Sequence, residues 1–257
     1  MRSETMIKDA ALDHDYPLDS LPVEVLETMA AAGAEVLEVH RVLAKTGDNI
    51  VGELLKHNGT FYEWDHYPPG DVYDHLTHGQ YYYHAHAADQ RFEGEHGHFH
   101  TFVRPKGMPW GIRPAKVPGF VAPEDPNDAL SHLVAIAMTP GGLPFRLFTV
   151  NRWVTGEVWY RAEDVIRLLD VFAIDHAQPS WPVNRWVSAM VALFKPQIAD
   201  LLRARDDKVA GWQDRNPDSD VFEDRDLEVT SFLDVSIDRQ VQGVAQALLG
   251  RRQQPFG

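Results

Sequence analysis

The sequence predicts an α+β fold: an antiparallel β-sheet of about four to five strands with helices packed on it. Three observations lead there. Apolar residues recur at helical spacing in the first sixty residues and again after Ala162. Between Tyr81 and Val150 the apolar residues instead lie in short runs rich in aromatic and β-branched side chains, bounded by Gly and Pro. No flexible linker interrupts the pattern, so residues 17–257 are expected to form one domain behind a solvated tail of residues 1–16, which carries Lys8, Asp9, Asp13 and Asp15.

The elements follow in order. Ser20-Leu21-Pro22, then Val23, Leu26, Met29 and Ala30, predicts a short helix with proline in its first turn and Gly33 past its end. A second helix is expected from Glu35 to Lys45, closed by Gly47, and a third piece from Asn49 to His57. Phe61 to His78 mixes aromatics with Asp, Pro and Gly and is expected to be an irregular connection. Tyr81–His86 and Gly97–Arg104 are expected strands, with the polar, Gly94-containing stretch between them as a hairpin loop. Pro105 to Asp128 holds six prolines and is expected to be an extended segment covering something. His132–Met138 is a continuous apolar run, as in a central strand, and Thr139-Pro140-Gly141-Gly142 turns it into Pro144–Val150. Helices are then expected over Ala162–Phe172, Pro182–Phe194 and Pro196–Trp212. A last strand over Leu227–Val235 and a helix over Asp238–Leu249 close the chain.

Composition narrows the function. With 24 basic against 38 acidic side chains the net charge is −14, which repels a phosphate backbone and speaks against nucleic-acid binding. No apolar run is long enough to cross a membrane, and Met1 to Asp15 lacks a signal-peptide core, so a cytoplasmic location is expected. There is no cysteine, which removes disulfides, zinc–thiolate sites, iron–sulfur clusters and thiol nucleophiles together. Any metal must therefore be held by nitrogen and oxygen.

The histidines are the salient signal. Eight of the 13 lie between His66 and His100, and five of those from His84 onward. Side chains alternate along a strand, so His84 and His86 share a face, as do His96, His98 and His100. Antiparallel partners have a constant sum of residue numbers; pairing His86 with His96 also pairs His84 with His98 and Tyr82 with His100. Opposed residues place their Cβ atoms about 4.5–5.5 Å apart, close enough for three imidazoles to converge on one cation. Neutral imidazole suits zinc, iron or copper. His84, His86 and His98 are the first-choice ligands, with His96 and His100 as alternates. Glu95 is the candidate base, fourth ligand or partner for an imidazole N–H. A metal-free polar pocket, a hydrogen-bonded network with Tyr81, Tyr82 and Tyr83, and an exposed pH-sensitive face are the competing readings.

Other candidates are weaker. Arg152 and Arg185 could anchor an anionic small molecule, though stacking on tryptophan or capping would equally account for them. Asp175-His176 has the composition of a ligand or base, or of a helix-end histidine stabilised by the dipole. Phosphate loops, G-x-S-x-G elbows and H-E-x-x-H helices are absent. Glu93 and Glu95 fall too far beyond His84 and His86 for the cupin spacing. The His-x-His and Glu-x-His strands are locally similar to the zinc strands of α-type carbonic anhydrases, over those strands alone. Across the chain, Trp64–Asp74, Gln80–Arg104, Asn151–Tyr160, Ile174–Trp186 and Phe222–Ser231 resemble an uncharacterised proteobacterial family, a domain of unknown function. That resemblance implies no activity. The expectation is a mononuclear metalloenzyme acting on a small molecule, by hydrolysis or hydration with zinc and by dioxygen chemistry with iron or copper. The rival is a non-catalytic small-molecule or metal-binding protein.

Overall fold

The computed structural model describes residues 10–12 and 16–253. Six strands form one antiparallel sheet in chain order: β1 (Tyr67–Tyr73), β2 (Gly79–His84), β3 (Gly97–Val103), β4 (Ser131–Met138), β5 (Pro144–Val150) and β6 (Val229–Asp234). The helices are α1 (Val23–Ala44), α2 (Ile50–Leu55), α3 (Arg152–Thr155), α4 (Ala162–Leu168), α5 (Trp181–Leu193), α6 (Lys195–Arg215) and α7 (Ile237–Gln253). The α+β class is as expected, with one strand more.

The extra strand is β1, which lies within the expected irregular connection. Pro68 and Pro69 obscure it in the sequence, but a sheet edge tolerates residues that cannot donate to a ladder. The two expected N-terminal helices are instead one continuous α1. Gly33 does not end it: a Cβ there would meet Val241 Cγ2 at 2.9 Å, so the glycine allows α1 and α7 to approach closely. At the other end α7 runs through Gly250, where a stop was expected.

The helices cover one face of the sheet. Tyr81, Tyr83, Phe99, Ile136 and Leu147 pack there with Val36 of α1, Trp186 and Met190 of α5, and Ile198 and Leu202 of α6. The opposite face carries a smaller apolar cluster of Phe92, Ala135, Ala137, Phe148, Val150 and Phe232. In the stretch Ala10–Leu12, expected to be solvated tail, Ala10 belongs to this cluster and Leu12 packs against the helix-side core. Ala11 forms a parallel bridge with Phe232, whose N–H donates to Ala10 O at 2.7 Å, and Ala10 is buried. The rest of the expected tail up to Asp15 lies outside the described residues.

Candidate metal centre

The hairpin of β2 and β3 has the expected register: Tyr82 opposes His100 and His84 opposes His98. Period-2 alternation then puts His84, His98 and His100 on the face away from the helices, and His86 follows two residues after His84. All four are buried. Ring centroids of His84, His86 and His98 lie 4.6–5.1 Å apart, and one ring nitrogen from each lies within 4.8 Å of the others. Three such groups can hold one metal ion.

His98 is fixed from behind. Its Nδ1–H donates to Glu95 Oε1 at 2.5 Å, while Phe92 N–H donates to Glu95 Oε2 at 2.9 Å. A neutral imidazole with a protonated Nδ1 presents a lone pair at Nε2, so His84 Nε2–H is the donor in the 2.8 Å contact between the two Nε2 atoms. Burial drives His84 down to about 2, with neighbouring His98, His86 and His66 adding to it, so its ring is neutral across ordinary pH. Burial alone would raise Glu95. The hydrogen bonds from His98 and from the Phe92 N–H, with His86 nearby, outweigh it and hold the carboxyl below its ordinary value. Tetrahedral ligands at zinc distances stand about 3.3 Å apart, so to ligate through both Nε2 atoms the His84 proton would move to Nδ1 and the 2.8 Å separation would open by about half an ångström.

Beyond the three lies a second layer. Between Ala135 and His132 strand β4 carries one residue more than β3, and this bulge turns His132 onto the histidine face. His132 Nε2 meets His100 Nδ1 at 2.9 Å, leaving His100 Nε2 buried and without a partner among the described residues. Burial lowers His100 well below its ordinary value and His132 to about 3. The His132 backbone N–H donates to Glu157 at 2.7 Å. Trp64 stacks on His86 at 4.5 Å, and His66 stacks on Tyr82 at 3.7 Å while its Nδ1 meets Asp71 at 2.9 Å. Glu228, at the entry to β6, brings a carboxylate oxygen to 3.9 Å from His86 Nδ1.

The cavity beside the cluster is small. His86, His98, His100, Glu95, Phe92, Phe148 and Glu228 are in its wall, and the space open to water centres is about 10 Å³, enough for about one water.

Other expected site residues lie elsewhere. His96 leaves the ladder and turns to the helix-side face, its Nδ1 meeting Tyr83 Oη at 2.7 Å and its ring 5.2 Å from Phe61. Parity fails at both loop-end positions, since Glu95 turns inward and His96 outward. Arg152 pairs with Glu223, and Arg185 pairs with Glu35 and lies over Trp181; neither lines the histidine cavity. The tryptophan beside Arg152, Trp153, is instead covered by Arg225 at 4.3 Å. Asp175 N–H donates to Asp74 at 2.7 Å, and Asn184, itself bonded to Tyr81 Oη at 2.6 Å, holds the His176 and Gln178 carbonyls. These bonds fix the backbone there, and neither Asp175 nor His176 lines the histidine cavity. The segment 105–128 does not roof the histidines and lines a different cavity.

His132, Glu157 and Glu228 were not among the expected residues. Glu228 had one faint signal, an acidic residue at the start of an expected strand; the other two depend on the bulge and on tertiary packing. Among the described residues no helix is long and apolar enough to cross a membrane. No curated protein and no solved structure matches the chain. A family model for a domain of unknown function, DUF6969, matches residues 30–235, and the chain belongs to that family.

Proposed function

We propose that this chain is a mononuclear metalloprotein in which His84, His86 and His98 hold one divalent transition metal, and that the metal acts on a molecule of only a few atoms. The observation that carries the reading is the convergence of three buried imidazole nitrogens within 4.8 Å, one of them backed by a carboxylate on its other ring nitrogen. Zinc, iron and copper all suit such a donor set. Bound zinc would lower the pKa of a coordinated water for hydration or hydrolysis, whereas iron or copper would support dioxygen chemistry. Glu95 orients His98 and sets its tautomer. Phe92 and Phe148 keep bulk water from the cluster, which strengthens electrostatic interactions inside it. With Arg152 and Arg185 both paired elsewhere and Glu95 and Glu228 in the cavity wall, a neutral substrate fits better than the anionic one expected from sequence.

The size of the cavity favours a second reading, in which the metal is bound without turnover. Metal analysis of protein purified without an affinity tag tests the shared premise: about one equivalent is expected, and none in the His84→Ala/His98→Ala variant. Protein that neither carries nor takes up zinc, iron or copper would refute both readings. Cobalt-substituted protein separates them. A visible spectrum altered by azide reports an open coordination position, and one indifferent to azide supports binding without turnover.

A further inference from the structure

The proline-rich segment 105–128 lines an open cavity at the opposite end of β3 from His98. Its water-accessible volume is about 520 Å³, within the roughly 300–1,000 Å³ of small-molecule sites. Met108, Trp110, Ile112, Phe120 and Tyr160 supply apolar and aromatic wall. Five prolines of the segment also line it; fixed φ angles preform the cavity and reduce the ordering that binding would require. The Tyr160 hydroxyl is already engaged, donating to Ala129 O at 2.8 Å.

One charged side chain stands in this wall, Arg113. Among the described residues it makes no ion pair or hydrogen bond, whereas Arg104, Arg146, Arg152, Arg185 and Arg203 each hold a carboxylate. In a chain with a net charge of −14, an arginine left without a carboxylate beside an apolar cavity is complementary to an anionic ligand. Trp110 is 92 % exposed, an aromatic surface with little packed on it.

We propose that this cavity is a second binding site, independent of the metal centre, for an aromatic carboxylate of one or two rings. The ring lies against Trp110, Ile112 and Phe120, and the carboxylate pairs with Arg113. The test is titration of the full chain with naphthalene-1-carboxylate and with its neutral amide, naphthalene-1-carboxamide, followed through the Trp110 indole N–H resonance. Saturable one-to-one binding is expected, tighter for the carboxylate. Arg113→Gln, at an exposed position, should weaken the carboxylate about 5- to 10-fold, as for a partly solvated charged hydrogen bond, and leave the amide unchanged. Absence of saturable binding, or equal affinity for the two compounds, would overturn the proposal. So would a dimer in sedimentation velocity that Trp110→Ser abolishes, since the cavity would then belong to a second copy of the chain.

Discussion

Glu95 accepts a hydrogen bond from His98 Nδ1 at 2.5 Å, with both side chains nearly excluded from solvent. The contact directs the His98 Nε2 lone pair toward His84 and His86. Replacing Glu95 by Gln keeps size and shape but substitutes a weaker acceptor that can also present its NH2 group, so the His98 tautomer is no longer imposed. A 10–100-fold loss of metal affinity is expected, the range typical for partners of ligating histidines. Competition titration against a chromophoric chelator measures it, and an unchanged dissociation constant would show that Glu95 does not orient a ligand.

The five hairpin histidines are expected to divide sharply in function. His98→Ala removes a ligand and should abolish stoichiometric metal binding, while His96→Ala should leave it intact. Loss of the contact between His96 and Tyr83 Oη should appear as a stability change of about 1 kcal/mol, the usual net worth of one hydrogen bond. Metal content and urea unfolding of the two variants, measured side by side, check this. Equal metal loss in both would mean that His96 swings to the other face when metal binds.

This contrast shows where the sequence was legible. Tyr82, His84, His98 and His100 were readable because β2 and β3 are consecutive, and a period of two with a fixed register sum leaves little freedom. The rule lapses where the ladder ends, and Glu95 and His96 exchange faces there. His132 was hidden because a one-residue bulge in β4 reverses its facing, and a bulge has no signature in an apolar run. Glu228 reaches His86 only through strand pairing of β5 and β6, a long-range relationship that local pattern does not encode. Arg152 and Arg185 misled because an isolated arginine near an aromatic looks the same whether it awaits a ligand or already holds Glu223 or Glu35. The proline content of 105–128 identified a covering segment but not what it covers.

Glu157 gives a pH signature. It is almost fully buried, and burial pushes its carboxyl up to about 8, from an ordinary value of 4.5, against the opposing charge of Arg205. A folded-state value above the unfolded one means the protonated form is favoured by folding. The contribution is therefore fully present below about 4.5 and is lost as pH rises toward 8. Glu157→Gln keeps an acceptor for the His132 N–H and does not titrate. The stability difference, wild type minus variant, should fall by a few kcal/mol between pH 5 and pH 8. Chemical denaturation across that range measures it, and a pH-independent difference would mean that Glu157 is ionised in the folded protein throughout.

Trp64 supplies a direct optical report on the metal site. Its ring lies on His86 at 4.5 Å with an interplanar angle of 18°, and its backbone N–H donates to Ala85 O at 2.8 Å, which anchors the residue beside a proposed ligand. A paramagnetic ion such as copper(II) bound by His86 would sit close enough to quench that emission strongly, while diamagnetic zinc would mainly shift it. Six other tryptophans contribute background, so the signal is the difference between wild type and Trp64→Phe, which keeps an aromatic ring over His86. Copper titration should quench wild type more than Trp64→Phe, with a one-equivalent endpoint that disappears in His84→Ala/His98→Ala. Zinc added first should block the quenching, because both ions compete for the same three nitrogens. If quenching proceeds equally in Trp64→Phe, or persists without His84 and His98, copper is binding elsewhere. The stacked pair would then be only a packing contact on the edge of a metal-free cluster.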